Sequence, residues 1–402
     1  MALRRKIEDT LMEWKERPDH KPLIIKGCRQ CGKTFSVTEF ARKNYEHVIY
    51  LNIAVNDDRL LMLEVENPDY ADVFSGSLEV DNIVMLLSAL LGKNAVFEPH
   101  KTVLILDEIQ ECPDARTALK FFHTDGRFDV IGTGSLLGVK RYGKDPKSIP
   151  VGSENVVTMY PLDFEEFLWA NGINPSIINL LQKNLDEEIP VPEALHNRMR
   201  QLLLQYAVVG GMPEAVNTFV DTKQMEQVLQ IQKDIVQSYE DDMIKYAERT
   251  DKASIRECFR SIPRQLSKEN KKFQYSVVKK GTTAAKYAGS LQWIEDAGIT
   301  RCYNLNIPEL PLDGNADPDT FKVYMCDMGL FVSMLEEGTQ YDILRGNLLI
   351  YKGAIFENLI ADIFTKMGRK LYYFRKDSGL EIDFVIRYKG KCTLAEVKAA
   401  TG

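Results

Sequence analysis

The sequence predicts an α/β protein: a parallel sheet flanked by helices, then a mainly helical stretch, then a second, smaller α/β region. Three observations predict it. An apolar run, a glycine-bounded loop and a helical pattern follow one another over residues 22–43. Four aliphatic residues, Val103 to Leu106, end in two acids, the pattern of a strand covered on both faces. After Pro161 the apolar spacing changes to three and four, and strand patterning returns after Leu349.

The first element is Pro22 to Lys26, a short buried strand ended by Gly27. Gly27-Cys28-Arg29-Gln30-Cys31-Gly32-Lys33-Thr34 then fits G-x-x-x-x-G-K-[ST], and Phe35 to Lys43 has helical character. Glycines let a backbone curl so that its N–H groups face phosphate oxygens, and the helix N-terminus adds a favourable dipole. Lys33 is expected to reach the β- and γ-phosphates of ATP, and Thr34 to place its hydroxyl on Mg²⁺. Cys28 and Cys31 form a C-x-x-C inside this loop; it reads as two small loop residues, a redox pair or half a zinc site. No second C-x-x-C completes a metal shell, and seven scattered cysteines do not make a secreted disulfide framework.

His47 to Ile53 reads as the next strand, and Thr102 to Leu106 as a central one ending in Asp107-Glu108, about 75 residues after the loop. Asp107 is the expected Mg²⁺ acid and Glu108 the base that orients and deprotonates the attacking water. Phe128 to Ile131 is a further strand running into Gly132-Thr133-Gly134-Ser135. Ser135, with Thr133 second, either senses the γ-phosphate or caps a following helix. The fold class is therefore a P-loop NTPase parallel sheet with further regions behind it. The acid pair suits water activation better than transfer to a small-molecule acceptor.

Further motifs carry a family resemblance: Leu106-Asp107-Glu108-Ile109-Gln110, Thr133-Gly134-Ser135, Tyr160-Pro161-Leu162, Gly210-Gly211-Met212-Pro213-Glu214, Tyr351-Lys352-Gly353 with Phe356-Glu357-Asn358, and Glu396-Val397-Lys398. Together with the loop they resemble the prokaryotic AAA-like ATPases that carry a C-terminal nuclease-like domain of unknown function. Members commonly place Arg or Lys after the glycine preceding Tyr-Pro-Leu; here Gly152 is followed by Ser153 and Glu154. If that cation serves the γ-phosphate, hydrolysis is expected to be slow unless Lys140, Arg141 or Lys144 replaces it. AAA-like sites are often completed across a subunit boundary, so the resemblance allows an oligomer without requiring one.

Helical patterns at Asp163 to Ala170, Arg198 to Val209 and Met225 to Ala247 form either a lid beside the nucleotide or a plain bundle. From Asp251 to Asn306, two helical patterns followed by a strand suggest a winged helix. The chain carries −7 overall, but Lys245 to Asn304 holds thirteen Lys or Arg against six Asp or Glu. Lys268, Lys271, Lys272, Lys279, Lys280 and Lys286 either contact DNA phosphates or form a solvated face.

Lys352 to Met367 reads as a helix bearing Glu357, followed by strands at Leu371 to Arg375, Glu381 to Arg387 and Cys392 to Val397. Glu357, Asp383, Glu396 and Lys398 resemble the acids and lysine of a PD-(D/E)XK nuclease core, which would hold a divalent cation and cut phosphodiesters. That core normally continues with another helix and strand, so this region is expected to be truncated. The boundaries are 1–160 (ATPase), 161–250 (lid), 251–330 (winged helix) and 331–402 (nuclease-like). A cytoplasmic protein is expected: no apolar run approaches the roughly 18–20 residues of a membrane span, and no signal peptide is apparent. Two functions stay open: ATP-driven DNA binding or processing, and a signalling switch that binds a protein partner.

Overall fold

The computed structural model describes residues 2–54, 70–135, 152–245, 252–268, 271–281, 284–296, 298–347, 352–376 and 378–398. The chain divides into two compact units, Arg5–Tyr160 and Pro161–Gly402 together with Met1–Arg4.

In the first unit five strands form one parallel sheet: β1 (Leu23–Gly27), β2 (His47–Asn52), β3 (Thr102–Asp107), β4 (Asp129–Ser135) and β5 (Asn155–Met159), in the order β2-β3-β4-β1-β5. β3 is buried along its whole length, as its aliphatic run requires. On one face Ile24, Ile49, Leu51, Leu104 and Leu106 pack with Ile83 and Leu87 of helix Val80–Leu91 and with Ala115, Leu119 and Phe122 of helix Pro113–Asp125. Burial of such side chains contributes about 1.5–3 kcal/mol each.

β4 runs further than its sequence suggests. Gly132-Thr133-Gly134-Ser135 continues the strand instead of turning, because it lies between β3 and β1 and pairs with Ile24 to Gly27 in register. Gly132 suits that packing: a Cβ there would meet Ile24 Cδ1 at 2.6 Å, and that side chain would have to shift. β5 has no signature in the sequence, since it is an edge strand with Val156 exposed.

The second unit begins with helices Phe164–Ala170, Pro175–Asp186, Glu193–Val209, Pro213–Thr222 and Met225–Lys245. Asp163 starts the first with a capping box: its side chain accepts from Glu166 N–H, and the Glu166 carboxylate accepts from Asp163 N–H. Helices Lys252–Leu266, Tyr275–Val278 and Ala284–Asp296 follow, then β6 (Thr300–Leu305) and β7 (Ala316–Tyr324), an antiparallel pair. After helix Lys352–Lys366 come β8 (Leu371–Arg375), β9 (Glu381–Tyr388) and β10 (Lys391–Ala395). All five strands form a single sheet, β10-β9-β8-β6-β7, with β6 and β8 parallel. One sheet thus joins strands on both sides of residue 330, where the sequence suggests a boundary. Strands that end in unpaired N–H and C=O groups gain hydrogen bonds by closing on a neighbour, whatever their separation in the chain. Among the described residues no helix is long and apolar enough to cross a membrane.

Candidate functional site

The Gly27–Thr34 loop leaves β1 and enters helix Lys33–Asn44 at the ends of the parallel strands. Its two glycines are needed for different reasons. A Cβ on Gly27 would meet Met159 O at 2.3 Å, and Gly32 has φ +94°, a left-handed conformation costly for other residues. Lys33 Nζ donates to Gly27 O at 3.2 Å and Cys28 O at 2.9 Å, lying along the curled loop.

Asp107, at the tip of β3, is buried and collects four donors. Thr34 Oγ1 lies 3.1 and 3.0 Å from its carboxylate oxygens, and Tyr50 Oη is 2.6 Å from Oδ2. Thr133 Oγ1 bonds Oδ1, and Glu108 N–H approaches it at 3.2 Å. Glu108 has φ +54°, and its carboxylate accepts from Gln110 Nε2. The sequence pairs Thr34 with Asp107 and proposes Thr133 only as a second sensor; the structure puts Thr133 directly on Asp107. Ser135 is buried at the end of β4, paired in register with Gly27. Tyr50 and Gln110 escape the sequence reading as members of this group. Tyr50 stands out only as a half-exposed aromatic between the buried Ile49 and Leu51.

The residues fit Mg²⁺ with a triphosphate: a hydroxyl and a buried carboxylate converge within hydrogen-bond distance, beside a lysine and a glycine loop. Cys28 and Cys31 are buried and are not joined in a disulfide. A hydrogen bond with Cys28, together with burial, pushes the Cys31 thiol well up, so it is a poor nucleophile. Glu154, two residues after Gly152, is paired with Arg116 at 2.6 Å. Lys140, Arg141 and Lys144 lie outside the described residues.

The second unit holds another charged group. Glu357, on helix Lys352–Lys366, is buried and bonds Lys271; Lys322 Nζ lies at 3.4 Å and Tyr324 Oη at 3.0 Å. Burial opposes its ionisation, but Lys322 and Lys271 outweigh it and hold the carboxyl below the usual range. Lys322, itself buried, also pairs with Glu381 at 2.8 Å. Asp383 lies nearby on β9: burial raises its pKa, and Glu357 and Glu396 add to the rise.

Glu396 and Lys398 do not lie on the third strand as the sequence suggests. β10 ends at Ala395, and the N–H of Val397 goes to Asp383 Oδ2 at 2.8 Å instead of to a neighbouring strand. Strand alternation therefore does not place them; they pair with each other at 2.6 Å, with Lys398 exposed. Among the described residues, only Glu46, His47 and Glu98 bring three metal-ligand atoms within 4.8 Å of one another. Lys101 already occupies that cluster, at 3.2 Å from Glu46 and 3.1 Å from Glu98.

Of the lysines proposed to face DNA, Lys271 is spent on Glu357, and Lys272 donates to Thr320 at 3.2 Å. Lys268, Lys279 and Lys280 are exposed. The side chain of Lys286 lies outside the described residues.

Residues 200–341 match a domain of unknown function (DUF8612), and residues 352–402 match a second domain of unknown function (DUF4143). No curated protein matches the chain. Among solved structures, the chain is similar to a Walker-type ATPase of Pyrococcus abyssi, at 14% identity and TM-score 0.45, over 83% of this chain and 96% of that one. It is also similar to the Aeropyrum pernix ORC2 protein, at 14% identity and TM-score 0.38, over 87% and 94%. A third is DnaA from Aquifex aeolicus, at 12% identity and TM-score 0.30, over 72% and 86%. Residues 19–168 match the family model of an AAA domain, a stretch that contains both the glycine loop and the Asp107 strand.

Proposed function

We propose that the chain binds ATP with Mg²⁺ at the Gly27–Thr34 loop, hydrolyses it, and couples nucleotide state to DNA binding or processing by its second unit. The observation that carries the ATP half is the Thr34 hydroxyl 3.0 Å from the Asp107 carboxylate, beside Lys33 on the glycine loop. Mg²⁺, held by Thr34 and Asp107, would neutralise charge on the β- and γ-phosphate oxygens. Loop N–H groups and the start of helix Lys33–Asn44 cradle the phosphates, and Lys33 exchanges its loop carbonyls for them. Glu108 takes the proton of the attacking water, held ready by Gln110. Ser135 stands at the strand tip beside Gly27, where a hydroxyl would report the γ-phosphate.

The DNA half is supported by the basic stretch and by the order of elements, helices followed by the antiparallel β6–β7 pair, which suits a winged helix. A specific observation favours a second reading of the C-terminal region. Glu357 is neutralised by two lysines, which leaves less field for a divalent cation. On that reading the region recognises DNA or a protein partner without cutting; Mg²⁺-dependent product release from a duplex would rule it out.

The deciding experiment is the ATP hydrolysis rate of the full chain with and without duplex DNA. Glu108→Gln is expected to lower the rate by about 10²–10⁴-fold while nucleotide still binds. Normal hydrolysis in that variant would reassign the base, and a rate indifferent to DNA would move the reading to a signalling switch.

A further inference from the structure

A cavity of about 620 Å³ opens in the second unit, at the end of the sheet where β6 and β8 finish and β7 begins. Its lining includes Lys272, Arg375 and Lys376, with Asn304, Asn306 and Thr320 between them. Three cations and three neutral polar groups line it, drawn from segments spread over about 100 residues of the chain.

Among the described residues the one carboxylate in the lining is Asp317, held by its own turn and by the nearby charge of Lys272. Thr320 hydrogen-bonds it and holds it below the usual range, and the N–H of Asp319 donates to Oδ1 at 2.9 Å. Among the described residues Arg375 makes one ion pair, 3.4 Å to Glu381, which leaves other guanidinium N–H groups as donors. The Arg375 N–H donates to Asn304 Oδ1 at 3.0 Å, so the Asn304 amide keeps its Nδ2 as a donor. Tyr373 lines the cavity but is buried, so no aromatic face is offered to a base.

An arginine fork, lysine point charges and amide donors around a polar hollow suit a tetrahedral anion. We propose that this cavity binds phosphate groups, and that its ligand is the phosphodiester backbone of a nucleic-acid strand. The assignment rests on the reading that the second unit engages DNA, and it locates that engagement. Contacts of this kind fix a strand in place without reading its sequence. The cavity is continuous with the carboxylate group through shared ion pairs: Arg375 to Glu381 at 3.4 Å, Glu381 to Lys322 at 2.8 Å, and Lys322 to Glu357 at 3.4 Å. A phosphate seated in the cavity is therefore linked to Glu357 through these pairs.

The test is fluorescence anisotropy of a labelled duplex and a labelled single strand with the full chain across a salt series. Lys272→Gln with Lys376→Gln is expected to weaken binding about 10-fold and to make the log–log salt slope shallower by about two. Lys→Arg at the same two positions is expected to restore affinity, which a folding defect would not predict. If the full chain binds DNA and the Gln pair binds equally well, the cavity assignment is overturned while the DNA reading stands. If the full chain binds neither nucleic acid, the DNA reading falls. Melting of a Lys33→Ala chain with inorganic pyrophosphate then decides the cavity, since the P-loop no longer competes. A rise in melting temperature abolished by the Gln pair would place a free phosphate ligand there; no rise would overturn the proposal.

Discussion

The side chains of Asp362, Lys366, Asp327 and Tyr206 are buried in the second unit, and each is satisfied. Lys366 Nζ donates to Asp362 Oδ2 at 2.8 Å, to Leu162 O at 3.0 Å and to Tyr206 Oη at 2.8 Å, with Asp327 at 3.9 Å. Asp327 accepts from Gly211 N–H at 2.6 Å and Leu330 N–H at 3.1 Å. Burial pushes the Asp362 carboxyl up to about 7; the charge of Lys366 opposes the rise and that of Asp327 adds to it. A carboxyl whose pKa rises on folding holds its proton more tightly in the folded chain. Its contribution to stability is complete below about pH 4 and is lost as pH climbs through about 7. Melting of the full chain is therefore expected to fall relative to Asp362→Asn between those limits, because the variant lacks the ionisation. Parallel melting curves across that range would disprove the raised carboxyl.

Three elements meet closely because glycines let them. Helix Glu193–Val209 ends at Gly210, whose φ of +71° suits glycine. A Cβ on Gly211 would meet Leu162 O at 2.0 Å, and one on Gly329 would meet Val209 O at 2.4 Å. Both obstacles are backbone, which cannot rotate away. Gly211→Ala is expected to cost about 3 kcal/mol or more in chemical denaturation, the upper end of overpacking penalties. A loss below about 0.5 kcal/mol would mean that the Leu162 segment yields easily. The Gly-Gly-Met-Pro-Glu motif thus has a packing reason independent of any ligand: Gly210 and Gly211 allow the approach, and Pro213 starts the next helix at its first position, where no N–H is needed.

The whole molecule has two units with separate sheets, and ligand linkage should reach them differently. A ligand present at about 100 times its Kd stabilises the state that binds it by about 2.7 kcal/mol. MgATP is expected to raise the melting of the Arg5–Tyr160 unit and to leave Lys33→Ala unmoved, as read by calorimetry. An equal rise in the Lys33→Ala chain would place the nucleotide elsewhere.

Much of the first unit was legible in sequence because its elements are local. The β1 strand, the loop and its helix follow one another in the chain, and four consecutive aliphatic residues announce β3 whatever lies around them. The left-handed turn at Gly32 belongs to the loop itself, and so does the lysine that follows, whereas the demand at Gly27 comes from Met159 on β5. The second unit was less legible because its chemistry is assembled from distant segments. Glu357 was visible as an acid on a helix. Its partners Lys271 and Lys322 lie 86 and 35 residues away and carry no local pattern. A buried lysine in β7 looks in sequence like any strand lysine; only pairing with Glu357 and Glu381 makes its burial tolerable.

The sequence by itself determined the phosphate loop, the acid pair after β3 and the basic stretch, since each is set by residue type and short-range spacing. Tertiary structure alone decided that Thr133 and Tyr50 join Thr34 on Asp107, that β6 and β7 share a sheet with β8 to β10, and that Lys272, Arg375 and Lys376 line one cavity. These depend on which strands lie side by side. Strand order is fixed by burial and hydrogen-bond closure over the whole chain, and no local spacing encodes it.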